Sequence, residues 1–153
     1  MDKSRIYRAG LRSDVDIVVA AAESADVHEI LDLWRRAEAE PSVTDDEDGL
    51  HALIAHDPQA LLVARAGDEI VATVIAAWNG WRGSLYRLAV APEHRRRGLG
   101  RAIVAEAEQR LRARGARRID AVVVGSQADL MSFWTAVGYE AQDERVRFVK
   151  NLS

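Results

Sequence analysis

"PEHRRRGLGRAIVAEAE", residues 92–108, sets Arg95, Arg96 and Arg97 against Gly98 and Gly100 and then runs into a helix-like stretch. Leu99, Ile103, Ala107 and Leu111 recur at every fourth position and Gly115 follows, which predicts a helix from Gly98 to Arg114. In front of the loop, "SLYRLAVAP" (84–92) reads as a strand. A loop between strand and helix presents unpaired backbone N–H groups at the positive end of the helix dipole. Glycines let that backbone approach a phosphate, and arginines add charge. A solvated turn, a nucleic-acid patch and a phosphate cradle all remain open at this point. The Walker pattern GxxxxGK[ST] is absent, and GxGxxG fails because Ile103 stands where Gly or Ala belongs. The pattern that fits is [Q/R]-x-x-G-x-[G/A], from Arg95 to Gly100.

Working outward, the chain alternates strands and helices. "DIVVAAA" (16–22) is predicted as a buried strand, and "SADVHEILDLWRRAEAE" (24–40) as a helix. Ser24 is its expected N-cap, with Val27, Ile30, Leu31, Trp34 and Ala37 on one face. An acidic-led second helix ends at Pro58, and two antiparallel strands follow, turning at Gly67-Asp68. "NGWRG" (79–83) is a further turn. Beyond the central helix come a buried strand "RRIDAVVVG", a short helix "ADLMSFWTAVG" ending at Gly138, and a last strand "VRFVKNL". The order β-α-α-β-β-β-α-β-α-β implies a mixed α/β sheet with helices on its faces, a single domain over residues 14–153. Residues 1–13 read as a loosely ordered tail.

Composition removes whole classes of function. The chain has no cysteine, so disulfides, thiolate metal sites and a cysteine nucleophile are excluded. No apolar run approaches the ~20 residues of a membrane span, and no apolar core follows the basic N-terminal residues as in a secretory signal. A cytoplasmic protein without membrane contact is expected. The net charge of −3 hides an asymmetry: residues 1–93 carry 9 Lys+Arg against 17 Asp+Glu, residues 94–153 carry 12 against 7. An anion therefore favours the second half and a cation the first. The acidic total and the lack of an aromatic-basic face count against nucleic acid. His28, His51, His56 and His94 are scattered without metal-ligand spacing, so no metal is expected.

Taken with its flanks, "LAVAPEHRRRGLGRAIV" (88–104) resembles the acetyl-CoA-binding motif of the GNAT N-acetyltransferase family, and "FWTAVGYE" (133–140) resembles the family's second segment. The element order extends the resemblance over nearly the whole chain. It implies a strand from which Leu88, Ala89 and Val90 pair with the pantetheine arm of acetyl-CoA, while a bulge opens a V beside it. It implies that Arg95, Arg96, Arg97, Gly98, Leu99, Gly100 and Arg101 form the pyrophosphate loop, and that the Leu88 N–H polarises the thioester carbonyl. An amine acceptor completes the expected reaction.

The second segment departs from the family pattern. Gln127 stands where an Asn commonly contacts the cofactor, and Trp134 where a Tyr often protonates the leaving thiolate. An indole N–H donates a hydrogen bond but does not ionise near neutral pH. Ser84 replaces a Glu that serves some members as base, so a base acting through water is expected. Tyr86 is expected to share the face of Leu88 and Val90 by strand alternation. Glu40, Asp45, Asp46 and Glu47 lie in the connection bordering the acceptor site. Trp78, Trp81 and Arg82 are expected at the mouth of the V, for a cationic or aromatic acceptor or for a homodimer contact. The rival to an enzyme is a catalytically silent acyl-CoA-binding module.

Overall fold

The computed structural model describes residues 5–7, 16–123 and 128–152. Six strands form one sheet in sequence order: β1 (Arg5–Tyr7), β2 (Ile17–Ala21), β3 (Leu61–Ala66), β4 (Glu69–Trp78), β5 (Gly83–Val90) and β6 (Ile119–Ala121). β1 to β5 pair antiparallel and β6 joins β5 in parallel, so the sheet is mixed as expected. Helices α1 (Val27–Arg36), α2 (Glu47–His56), α3 (Leu99–Ala113) and α4 (Ala128–Ala136) complete the domain. No helix among the described residues is long and apolar enough to cross a membrane.

Both faces of the sheet are covered, which is why "LLVARA" and "EIVATVIAAW" lack a polar alternation. Leu62, Ala64, Val71, Val74 and Leu85 pack with Leu99, Ile103, Ala107 and Leu111 of α3 and Trp134 of α4. On the other face Leu61, Val63, Ile70 and Ala89 pack with Val27, Ile30, Leu33 and Trp34 of α1 and Leu50 of α2.

Four readings of the sequence are corrected. Part of the presumed tail, Arg5–Tyr7, pairs with Val19, Val18 and Ile17 of β2. Ser24 does not cap α1: it begins a short 3-10 turn, with Glu23 and Asp26 bonded reciprocally as a capping box. The buried stripe of α1 takes in Leu33, while Leu31 lies at its edge. "VRFVKNL" forms no strand, and Val146, Phe148, Val149 and Leu152 are exposed, Phe148 at 92%. β6 is only three residues long, so it offers too short a ladder to pair a seven-residue strand.

Gly83 opens β5 beneath α3. A Cβ there would stand 2.8 Å from Leu111 Cδ1 and 3.2 Å from Cδ2, in a core where Leu111 is sealed. Gly83→Ala should therefore cost about 1–3 kcal/mol through overpacking. In a Leu111→Ala background the same change should cost much less, and a double-mutant cycle in urea measures the coupling. Strictly additive costs would show that the two positions do not meet.

Candidate active site

The site is built around one irregularity in β5. Ala72 and Thr73 face Val90 and Ala89, but Ile75 and Ala76 face Tyr86 and Leu85, so β5 carries one residue more than β4 between those pairs. Arg87 sits at this bulge with φ +54°, in the left-handed region that a branched-Cβ or long side chain enters rarely. The extra residue reverses the strand's parity. Leu85, Leu88 and Val90 face α3, while Tyr86 shares the opposite face with Ile75, Thr73 and Ala89. The expectation that Tyr86 lies on the face of Leu88 and Val90 is thus wrong, because simple alternation ignores the inserted residue.

The bulge is held from two sides. Its carbonyl accepts a hydrogen bond from the Thr73 hydroxyl at 3.1 Å, and that hydroxyl accepts one from Trp34 Nε1 at 2.8 Å. The Arg87 guanidinium pairs with Asp45 at 2.7 Å and 3.0 Å and lies 5.8 Å from the Trp34 ring centre. Asp45 is thereby committed to an arginine. Asp46 is committed to α2, whose Gly49 N–H it caps at 2.7 Å. These two of the four acids in the connection are therefore engaged in structure, and Glu47 lies 3.6 Å from His28. Thr73 escaped the sequence reading, although a single hydroxyl within "EIVATVIAAW" was the signal, and Trp34 was expected only as part of the buried face of α1.

Beyond the bulge β5 parts from β6. Among the described residues their pairing covers Gly83–Leu85 against Ile119–Ala121, and the last bond runs from Val122 N–H to Leu85 O at 3.3 Å. On its other side Ala91 N–H donates to Val71 O at 2.8 Å. Alternation from that bond turns the backbone of Ala89 toward β4 and the N–H groups of Leu88 and Val90 toward the open side. The wedge between the strands is therefore lined by main-chain donors, of which Ala89 is not one.

At the head of the wedge stands the arginine loop. Arg96 (φ +62°) and Gly98 (φ +82°) are both left-handed, and the first bond of α3 runs from Ala102 N–H to Gly98 O at 3.0 Å. The N–H groups before it, Arg96 to Arg101, take no backbone carbonyl among the described residues. They converge at a helix N-terminus with no side-chain cap, an arrangement suited to an anion. The side chains divide. Arg95 Nε donates to Val90 O at 3.3 Å and its Nη2 to Ala37 O at 3.2 Å, so it ties the loop to β5 and to the end of α1. Arg36 reinforces that tie by pairing with Glu93 at 3.3 Å. A backbone hydrogen bond and the Arg36 charge hold the Glu93 carboxyl below its ordinary range. Arg96, Arg97 and Arg101 make no ion pair among the described residues. The two glycines also differ: Gly98 supplies the left-handed turn, whereas a Cβ on Gly100 would press on Phe133 ring carbons at 3.2 and 3.3 Å.

The remaining candidates scatter. Gln127 lies outside the described residues. Trp134 is buried, edge-on to Phe133 at 5.4 Å and to Tyr139 at 4.9 Å between ring centres. Burial, with the nearby Glu108 charge, pushes the Tyr139 hydroxyl up to about 12, and no partner among the described residues reaches it. Trp78 packs toward the core, while Trp81 is 69% exposed with the Arg82 guanidinium 4.0 Å from its ring centre. His94 departs from the expectation of isolated histidines, since its ring and the carboxylates of Glu69 and Glu93 lie within 4.8 Å of one another at the surface.

Comparison with known proteins matches this geometry to a family. The model of the acetyltransferase (GNAT) family matches residues 26–139. An acetyltransferase of Sodalis glossinidius is 32% identical over 127 residues, 83% of this chain and 89% of that one. An acetyltransferase of Photorhabdus laumondii is 34% identical over 128 residues, 83% of this chain and 90% of that one. A PaiA N-acetyltransferase of Thermoplasma acidophilum, solved in complex with coenzyme A, shares the fold with a TM-score of 0.73 at 16% identity, over 84% of this chain and 92% of its own. Bulged strand, open wedge and basic loop thus have their counterpart in sequence: the chain belongs to the GNAT acetyltransferase family.

Proposed function

We propose that the protein moves the acetyl group of acetyl-CoA directly to a primary amine of a small molecule, an amino acid or a peptide N-terminus. The observation that supports this reading is the pair of main-chain donor groups, Leu88 and Val90 facing the wedge and Arg96–Arg101 at the start of α3, that take no backbone carbonyl among the described residues. The donors at the loop suit a pyrophosphate, with Gly98 shaping the turn, Leu99 and Gly100 opening α3, and Arg96, Arg97 and Arg101 adding charge. Arg95 acts behind them, as the strut between β5 and α1. Val90 suits the amide groups of the pantetheine arm, and Gln127 is retained as a further contact to that arm.

In the reaction the neutral amine attacks the thioester carbon, forming the C–N bond. The oxygen that gains charge accepts from the Leu88 N–H, a fixed dipole worth most where charge develops. The C–S bond then breaks, the nitrogen gives up a proton to water, and the sulfur takes one from water. A thiol has a pKa of ~8.5, so its thiolate leaves without an internal acid. No metal takes part, and the work is done in the cytoplasm. A panel of amines tested for release of free thiol identifies the acceptor. Absence of thiol release across the panel, with acetyl-CoA bound, would leave a silent binding module.

Acetyl-CoA should stabilise the native state by ~2.7 kcal/mol at a hundredfold excess over its dissociation constant. For a domain of this size that is a rise of roughly 5–10 °C in the melting midpoint. Gly98→Val should remove most of the rise, because a β-branched residue resists the left-handed turn that gathers the N–H groups. An unshifted midpoint with millimolar acetyl-CoA and with coenzyme A would sink the cradle.

Tyr139 gives a second test. Its buried hydroxyl, unpartnered among the described residues, costs desolvation without return, so Tyr139→Phe should be neutral or stabilising and leave the alkaline limb of the pH–rate profile in place. Folding raises its pKa from 10.0 to about 12, so its contribution is whole below pH 10 and is lost as the pH climbs toward 12. The variant should lose less stability across that window in urea titrations. Loss of the alkaline limb in Tyr139→Phe would instead identify Tyr139 as the proton donor.

A further inference from the structure

Thr73 is the one hydroxyl in β4's apolar run, and its surroundings are those of a part with a purpose. It is 0% exposed and Trp34 is 4% exposed, so no solvent replaces their hydrogen bonds. The hydroxyl has one proton, and it goes to the Arg87 carbonyl at 3.1 Å; the Trp34 N–H fills its acceptor side at 2.8 Å. The relay is directional: indole N–H to hydroxyl, hydroxyl to carbonyl. A valine would match the shape of Thr73 and avoid burying a polar group, so shape alone does not account for threonine here.

The target of the relay is the strained residue itself. With φ at +54°, the Arg87 peptide can turn back toward an ordinary strand conformation unless something holds its carbonyl. The peptide that carries this carbonyl also carries the Leu88 N–H, because the two groups belong to one planar amide. Fixing the carbonyl therefore fixes the direction of that N–H, which points the opposite way. Thr73 is also the register partner of Ala89, so Leu88 is gripped on both sides by the same residue of β4.

We propose that Thr73, oriented by Trp34, is a positioning residue for acyl transfer: by holding the Arg87 carbonyl it aims the Leu88 N–H at the acyl oxygen. This rests on the acetyl-transfer reading above. Thr73 touches neither substrate and acts through the shared Arg87–Leu88 amide.

The experiment compares wild type, Thr73→Val, Thr73→Ser and Trp34→Phe, using acetyl-CoA with an amine from the panel, well below each melting midpoint. Thr73→Val should lower kcat by about 10-fold or more, as expected when an oxyanion-type donor is misaimed, with KM for acetyl-CoA changed less than about 3-fold. Thr73→Ser keeps the hydroxyl and should recover most of kcat. Isotope-edited infrared spectra of bound [1-13C]acetyl-CoA supply a readout independent of the amine. The carbonyl stretch should fall on binding to wild type and to Thr73→Ser, and return toward the free value in Thr73→Val. Should Thr73→Val fail to fold, Trp34→Phe removes the N–H together with part of the ring and should move kcat and the stretch the same way, by less. A wild-type stretch and kcat in Thr73→Val, or in Trp34→Phe where the first does not fold, would overturn the proposal and leave the acetyl-transfer reading standing. Wild type that binds no acetyl-CoA would overturn both.

Discussion

One extra residue in β5 governs the architecture around the site. Without it, β5 would run in register with β4 and its Tyr86–Val90 segment would keep the parity of Gly83–Leu85. With it, the first half of β5 pairs with β6 while the second half turns the N–H groups of Leu88 and Val90, unpaired among the described residues, into a wedge. The same residue puts Leu85 and Leu88 on one face although they are three apart, so α3 still meets an apolar surface across the break. Such a bulge interrupts the ladder and places a non-glycine residue at positive φ, and both terms are unfavourable. The Thr73 and Asp45 contacts to Arg87 offset them, one on the carbonyl and one on the guanidinium. The open strand edge is thus a maintained feature of the fold.

The charges are arranged with the same economy. The second half of the chain is basic, but its arginines do not act alike. Arg110 pairs with Glu106 and Arg114 with Asp57, so they serve the packing of α3. Arg95 serves the loop, reaching back to the C-terminal end of α1, where the helix dipole favours a cation. Arg96, Arg97 and Arg101 instead stand around the uncapped start of α3, where the dipole repels cations. Positive charge gathered at a positive helix end costs energy in the free protein and returns it when an anion binds there.

Much of this was legible from residue order. The alternation of strands and helices, the turn at Gly67-Asp68, the span of α3 and the basic loop all carry local signals, and the structure agrees with them. The bulge carries none. "SLYRLAVA" has no glycine at the irregular position, so periodicity alone put Tyr86 on the wrong face. The lock on the bulge was equally hidden, since Trp34 and Thr73 are 39 residues apart and meet only when α1 lies across β4. The two ends of the chain misled in opposite directions. Arg5–Tyr7 are too few to register as a strand until β2 offers an edge, whereas "VRFVKNL" has the alternation of a strand but no ladder to join.

The family pattern often has an acid for the leaving sulfur at the position held here by Trp134. That ring is instead the hub of an aromatic cluster, edge-on to both Phe133 and Tyr139, and Phe133 in turn rests against Gly100 at the start of α3. The cluster buttresses the loop from behind, which a small or ionised side chain would do poorly. Tyr139, the nearby phenol, is held protonated by burial and by the Glu108 charge, so it is a poor donor near neutral pH. On the proposed mechanism this is tolerable because the two ends of the scissile bond make unequal demands. The oxygen must gather a full charge in a weakly basic carbonyl, and only a preorganised donor lowers that cost. The sulfur departs as a thiolate of modest basicity that water can protonate. The fold accordingly fixes the strained Arg87 peptide with the buried Trp34–Thr73 hydrogen bonds, and uses Trp134 and its aromatic neighbours for packing.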